Sequence, residues 1–128
     1  MTKIPLIIER TDNRYVGRLF YDDNLIVGDE QNLEQLELTM KKMLNSFHGV
    51  MAAEVSFKHI YDLSSLFEKF NYLKISSIAT IAGLNASLLR QYVTGNKHAS
   101  VTQARKIETA IRQIGKELQQ VQVYGNTP

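Results

Sequence analysis

The chain contains no cysteine and no tryptophan, and it has only two prolines among its 128 residues. The lack of cysteine excludes disulfide bonds and thiolate metal sites, and it is compatible with a reducing compartment. Long hydrophobic runs are also missing, because the longest one near the start, residues 4–8, is too short for a signal peptide or a membrane span. We therefore expect a soluble, cytoplasmic protein with no membrane partner.

The overall charge of +2 conceals an imbalance between the two halves of the chain. Residues 1–60 hold seven basic and nine acidic residues, a net charge of −2, whereas residues 61–128 hold eight and four, a net charge of +4. This imbalance suggests two tasks, with a polyanion as a candidate partner of the basic half.

In the first half of the chain, the spacing of apolar residues is that of strands followed by one helix. Alternating apolar residues predict strands at about residues 3–10, 15–21 and 25–27, with Asp- and Asn-rich turns between them. A helix follows from the N-cap Asn32 to Gly49. Its expected core stripe is Leu33, Leu36, Met40, Met43, Leu44 and Phe47. Residues 55–61 predict a fourth strand, so residues 1–60 form a βββαβ domain and the fold class is α+β.

From Asp62 onward the period is helical. We predict helices at residues 62–70, 76–82, 86–94 and 102–118, which make residues 61–128 a second, all-α domain. Val121 and Val123 alternate with glutamines, so residues 119–124 are interpreted as a short strand.

Residues 77–95 have the spacing of two short helices that cross closely. Ala79 is small enough for such a crossing, Gly83 suits the turn between the helices, and Asn85 or Ser87 caps the next helix. The outer face and the start of that helix carry Asn85, Ala86, Ser87, Arg90, Gln91 and Thr94. Arginine and glutamine are suited to bidentate contacts with guanine and adenine. The alternative is the ordinary packing of a small helical core.

Phosphate-binding groups flank this pair of helices. Ser76 and Ser77 begin the first helix, where backbone N–H groups and the helix dipole favour an anion. Lys97 and His98 follow the second helix, and residues 73–128 carry seven basic and two acidic residues. These features favour the binding of double-stranded DNA.

The segment Ile78-Ala79-x-x-Ala82-Gly83-Leu84, with Leu89 and Tyr92 downstream, resembles the lambda-repressor-like (XRE-type) helix-turn-helix. The segments IPLIIERTDNRYVGRLF and GDEQNLEQLELTMKKML resemble the HicB-type antitoxins, whose small domain is a degenerate, partial RNase H-like fold. The sequence departs from that family at Asp22-Asp23-Asn24, where the family has a loop with proline or glycine. The first resemblance implies base contacts at residues 85–87, 90, 91 and 94.

Together the resemblances imply the antitoxin of a type II toxin–antitoxin pair, a transcriptional repressor that neutralises a small, basic, mRNA-cleaving toxin and autoregulates its operon. The charge imbalance then predicts toxin contacts at Asp22, Asp23, Asp29 and Glu30. We expect a homodimer or higher even oligomer on an inverted-repeat operator.

Two other functions compete with this one. The first is a stand-alone, phage-type regulator whose N-terminal domain only dimerises or senses a ligand. The second is a metal-dependent nuclease built on Glu9, Asp12, Asp22, Asp23 and Asp29. Most of these carboxylates lie in predicted turns, the three histidines have no metal-ligand spacing, and no nucleophile motif is present. We therefore predict no enzymatic activity, no catalytic residues, no metal and no cofactor.

Overall fold

The computed structural model describes residues 2–126 and divides the chain into two compact units, Met1–Phe70 and Asn71–Pro128. The described residues form a mixed four-stranded sheet and five α-helices, which confirms the predicted α+β class. The sheet and two of the helices belong to the first unit, and the other three helices belong to the second.

The first unit contains the whole sheet. The strands are β1 (Thr2–Thr11), β2 (Arg14–Tyr21), β3 (Asn24–Glu30) and β4 (Val55–Tyr61), and the helix α1 (Leu33–His48) and a short 3-10 turn (Ala52–Glu54) connect β3 to β4. Their order across the sheet is β3-β2-β1-β4, with β1 and β4 parallel and the other pairs antiparallel. β3 and β4 are therefore the two edge strands.

Two tight turns connect the antiparallel strands. Asp12 and Asn13 between β1 and β2 have φ of 51° and 62°, and Asp22 and Asp23 between β2 and β3 have φ of 49° and 62°. Positive φ at both central residues is the geometry of two-residue hairpin loops, and aspartate and asparagine tolerate it better than most residues. The predicted turns are thus confirmed, and they fix the register of both hairpins.

One face of the sheet packs against α1. The alternation along the strands places Ile4, Leu6, Ile8, Leu19 and Phe57 in the core, where they meet the buried helix residues Leu36, Met40 and Leu44. Gly28 permits this close approach, because a Cβ at that position would lie 2.7 Å from the sulfur of Met40. Phe47, which was predicted to belong to the core stripe, is instead exposed.

The first unit ends ten residues later than the boundary expected from the sequence, because the helix α2 (Leu63–Lys69) packs against β1 and β4. Asp62 caps this helix by accepting a hydrogen bond from the Ser65 backbone N–H at 2.8 Å. The buried Ser65 hydroxyl donates to the Ile8 carbonyl at 3.1 Å, and the Asp62 N–H donates to the same carbonyl at 2.9 Å. These bonds attach α2 to the sheet.

The second unit consists of α3 (Ile75–Ala82), α4 (Ala86–Thr94) and α5 (Val101–Gln119). After α5 the chain has neither helix nor strand over residues 120–126, so the strand predicted at residues 119–124 is wrong. Residue 119 belongs to α5. Val123 and Tyr124 are both 89% exposed, so the valines and the tyrosine of this segment do not pack as residues of a sheet would. Within residues 2–126 there is no helix long and apolar enough to span a membrane.

Candidate nucleic-acid interface

A three-residue connection, Gly83 to Asn85, joins α3 to α4. Gly83 has φ of 72°, and its N–H donates to the carbonyls of Ala79 and Thr80, which ends α3. The N–H of Leu84 also bonds to the Ala79 carbonyl, at 2.9 Å. Asn85 then caps α4, because its side-chain oxygen accepts from the Ser87 N–H at 2.8 Å. Of the two predicted caps, the structure therefore selects Asn85.

A small apolar core fixes the orientation of α4. Ile78 and Ala79 of α3 and Leu89 of α4 are each at most 1% exposed, and Ile107 of α5 is fully buried. Leu89 and Tyr92 are the two buried residues of α4, and they lie three apart on one side of the helix. The opposite side of α4 is consequently directed away from this core.

That outward side of α4 presents the residues predicted to contact bases. Ser87, Arg90 and Thr94 are exposed, and Ala86 and Gln91 are half-buried. Asn85 is exposed as well, but its side-chain oxygen is engaged in the cap, which leaves its amide group to donate. The predicted base-contacting set thus lies along α4 and its N-cap residue, Asn85.

The loop after α4 is tied back to this helix. The Gln91 carbonyl accepts hydrogen bonds from the Thr94 hydroxyl at 3.3 Å and from the Lys97 backbone N–H at 3.2 Å. Lys97 is therefore held beside the last turn of α4, and its side chain is exposed. The sequence predicted that Lys97 lies in this loop, but it did not predict the hydrogen bond to Gln91. That bond joins two backbone groups and so does not depend on the identity of either side chain.

The N-terminus of α3 differs from those of the other α-helices. Asn32, Asp62, Asn85 and Ser100 cap α1, α2, α4 and α5 with side-chain oxygens, whereas Lys74 precedes α3 without a side-chain cap bond. The Ser77 N–H bonds to the Lys74 carbonyl at 3.1 Å. Ser76 is half-buried and Ser77 is exposed. The first turn of α3 therefore presents two serine hydroxyls at a helix start without a side-chain cap, next to Lys74, which the sequence did not single out.

The charge around α3 and α4 has one sign. Residues 71–100 contain Lys74, Arg90 and Lys97 and no carboxylate. The two carboxylates of the second unit lie on α5, where Glu108 pairs with Arg112 at 3.0 Å and Glu117 accepts a long hydrogen bond from Gln113. An anion that approaches α3 and α4 meets no acidic side chain on those helices.

The four acidic residues predicted to contact a toxin do not form one cluster. Asp22 and Asp23 occupy the turn before β3, whereas Asp29 and Glu30 end that strand, about 20 Å away at 3.3 Å per residue. Asp29 also pairs with Arg14 of β2. The predicted toxin contacts therefore lie at two separate places, the turn before β3 and the last two residues of that strand.

The carboxylates considered for a nuclease are dispersed too. Asp12 and Asp22 lie in turns at opposite ends of β2, and Glu9 pairs with Arg18 at 2.6 Å. Among residues 2–126 no group of three or more His, Asp or Glu side chains is placed to hold a metal ion. His59 contacts Glu37 at 2.8 Å, and the His48 ring lies 4.9 Å from that of Tyr21.

Comparison with protein-family models, curated proteins and solved structures gave no match for this chain. The assignment of a function therefore depends on the geometry and charge of the two units.

Proposed function

We propose that the second unit is a DNA-binding helix-turn-helix, in which α4 enters the major groove and α3 lies across the phosphate backbone. The observation that carries the proposal is the outward side of α4. It combines small or uncharged side chains with Arg90 and Gln91, on a pair of helices that has no carboxylate. A helix that only needed solubility would more often carry glutamate and lysine there.

Each residue of this interface has a distinct role in the proposal. Arg90 and Gln91 contact base edges, with Asn85, Ala86, Ser87 and Thr94 lining the approach. Ser76 and Ser77 bind one phosphate at the uncapped start of α3, with Lys74 beside them. Lys97, held by Gln91, binds a phosphate at the other end of α4.

A single interface of this size makes few contacts, so specific binding requires two copies on half-sites about 34 Å apart. We therefore infer a homodimer or a higher even oligomer that binds an inverted-repeat operator. Apolar surface for this assembly is available on the second unit, because Leu118 in the last turn of α5 and Val121 just after that helix are exposed.

The first unit carries the antitoxin half of the proposal. Its order of three antiparallel strands, a helix and a parallel fourth strand is the arrangement expected of a partial RNase H-like, HicB-type domain. It holds eight basic and eleven acidic residues, against seven and two in the second unit. An mRNA-cleaving toxin must be basic where it grips phosphate, so an acidic first unit would associate with it rapidly and block RNA.

A stand-alone regulator is the second candidate, because the carboxylates of the first unit lie at two ends of β3 and do not form a single acidic patch. In that case the first unit would serve only for dimerisation or ligand sensing, and the second unit would keep the same role. The two candidates differ only in the partner of the first unit.

Two experiments test the proposal. Selection from random duplexes with the full chain should recover an inverted repeat. The same selection with Arg90→Ala should relax preference at one position of each half-site, whereas Lys97→Ala should weaken binding to all sequences alike. Recovery of no common site, or of an unchanged site with Arg90→Ala, would reject α4 as the recognition helix.

The antitoxin half is tested by co-expression with the protein encoded by the adjacent reading frame. We expect the two proteins to co-purify and the toxicity of the neighbour to disappear. If the neighbour is toxic and neither effect occurs, the stand-alone regulator becomes the better description of the same DNA-binding protein.

A further inference from the structure

The strand β3 is an edge of the sheet whose outer side has no strand partner among the described residues, since β3 pairs only with β2. Tyr21 and Asn24 flank the two-residue turn, and in such a hairpin the flanking pair exchanges both of its backbone hydrogen bonds. The bonded pairs then recur at every second residue. The three residues between them, Leu25, Val27 and Asp29, consequently direct their backbone N–H and C=O groups away from β2.

The same three residues place their side chains on the face of the sheet opposite α1. Their neighbours Ile26 and Gly28 are buried beneath α1, whereas Leu25 is 54% exposed and Val27 is 47% exposed. Phe20, which lies directly across from Leu25 on β2, is 67% exposed. The free backbone groups therefore lie beside an exposed apolar row.

Proteins normally protect a sheet edge with proline, bulges, central charges or a short strand. β3 has seven residues, contains no proline, and keeps its charged residues to one end, at Asp29 and Glu30. Asp22 and Asp23 adjoin the other end. Asp29 is paired with Arg14, but Asp22, Asp23 and Glu30 have no ion pair within residues 2–126.

This distribution of charge decides which partner the edge would accept. If a second copy paired its β3 in antiparallel fashion, Asp22 and Asp23 of each copy would lie near Glu30 of the other. Like charges placed together oppose such pairing. A partner strand with lysine or arginine would instead meet opposite charge at both ends of β3.

We propose that the free edge of β3 is the docking site of a basic partner protein, which adds one extended strand to the sheet by bonding to Leu25, Val27 and Asp29. The partner strand has apolar side chains toward Leu25, Val27 and Phe20, and basic side chains near Asp22, Asp23 and Glu30. The proposal rests on the toxin-neutralising half of the proposed function and specifies how that partner is held. Main-chain bonds supply the affinity, and the side chains on each face supply the selectivity.

The test uses the full chain and an eight-residue peptide of alternating lysine and valine, with an alternating glutamate and valine peptide as the control. NMR titration should shift the amide signals of Leu25, Val27 and Asp29 with the basic peptide, and hydrogen exchange at these amides should slow. The acidic peptide should have no effect. Absence of these shifts with the basic peptide, or shifts confined to other surfaces, would overturn the proposal.

Variants separate the backbone contact from the charge. Val27→Pro removes one outward backbone N–H without breaking a hydrogen bond to β2, and it should lower the affinity for the basic peptide at least tenfold. Val27→Thr keeps that N–H and the strand preference and should retain binding. The double change Asp22→Asn and Asp23→Asn retains residues that tolerate the positive φ of the turn, and it should lower affinity several-fold and reduce its salt dependence. Equal binding by Val27→Pro and Val27→Thr would contradict strand addition.

Two further outcomes are informative. Concentration-dependent protection of the β3 amides without any peptide would show that a second copy occupies the edge, and would overturn the assignment of a basic partner. If the adjacent gene product co-purifies equally with Val27→Pro and with the native chain, the toxin-neutralising function stands and the β3 edge is rejected.

Discussion

The two units differ in the size of their hydrophobic cores and in the surfaces that they expose to a partner. Among residues 2–126, the first unit buries twelve hydrophobic residues, eleven of them in the core of the sheet and α1 and the twelfth, Phe67, on α2, whereas the second unit buries six, two of which are alanines. The helices α3 and α4 have only eight and nine residues, too few to be stable alone in water, so their geometry depends on this small core. These few buried residues hold α4 in place, and Ser87, Arg90 and Thr94 on its outward side are exposed and lie outside that core.

The largest expected effect comes from removing the same buried side chain in each unit. Leu89 and Leu44 are both fully buried, so Leu89→Ala and Leu44→Ala should each cost about 2–5 kcal/mol of unfolding free energy. Hydrogen exchange should show that Leu89→Ala reduces the protection of amides in residues 71–126 while the sheet amides stay protected. Leu44→Ala should reduce the protection of the sheet amides and leave that of residues 71–126 unchanged. Loss of protection in both units with either change would mean that they fold as one cooperative body.

A smaller effect is expected where α3 and α4 cross. Ala79 is 1% exposed, so Ala79→Leu should overpack the crossing and cost about 1–3 kcal/mol. Ala104→Leu adds the same side chain at an exposed position of α5 and should leave the melting temperature nearly unchanged. Thermal unfolding followed by circular dichroism checks both variants. Equal melting temperatures for the two would refute the placement of Ala79 at the crossing.

The smallest expected effect distinguishes two glycines of the second unit. A Cβ at Gly115 or at Gly95 meets no atom within 4 Å, but Gly95 has φ of 84°, whereas Gly115 lies inside α5. Gly115→Ala should therefore stabilise the unit by about 0.5–1 kcal/mol, because alanine loses less backbone entropy in a helix. Gly95→Ala should destabilise it through the left-handed backbone. Chemical denaturation of the two variants should give shifts of opposite sign.

Local signals in the sequence were sufficient for most elements. Asn32, Gly49 and Gly83 begin or end helices as predicted, and the Asp- and Asn-containing turns are tight hairpins. The order of the strands and α1 along the chain follows from the change of the hydrophobic period from two residues to that of a helix. In the second unit, the buried Leu89 and the polar side of α4 were both predictable from spacing.

Features that depend on distant parts of the chain were not predictable. The helix α2 belongs to the first unit because Ser65 bonds to the Ile8 carbonyl, 57 positions earlier. The alternation of Val121 and Val123 suggested a strand, but a strand needs a neighbouring strand and none is present beside residues 120–126. The edge position of β3 is likewise a property of sheet order, so its free backbone groups had no signature in the sequence.

The central claim is that α4 contacts bases, and it is tested most directly by titrating one duplex with three proteins over a range of salt concentrations. The duplex is the site recovered by selection, and the proteins are the native chain, Arg90→Ala and Arg112→Ala, the last changing an arginine of α5 that pairs with Glu108. We predict that Arg90→Ala loses about 1–3 kcal/mol of binding free energy at every salt concentration, whereas Arg112→Ala binds like the native chain. Unchanged affinity for Arg90→Ala, or equal losses for both variants, would contradict the account.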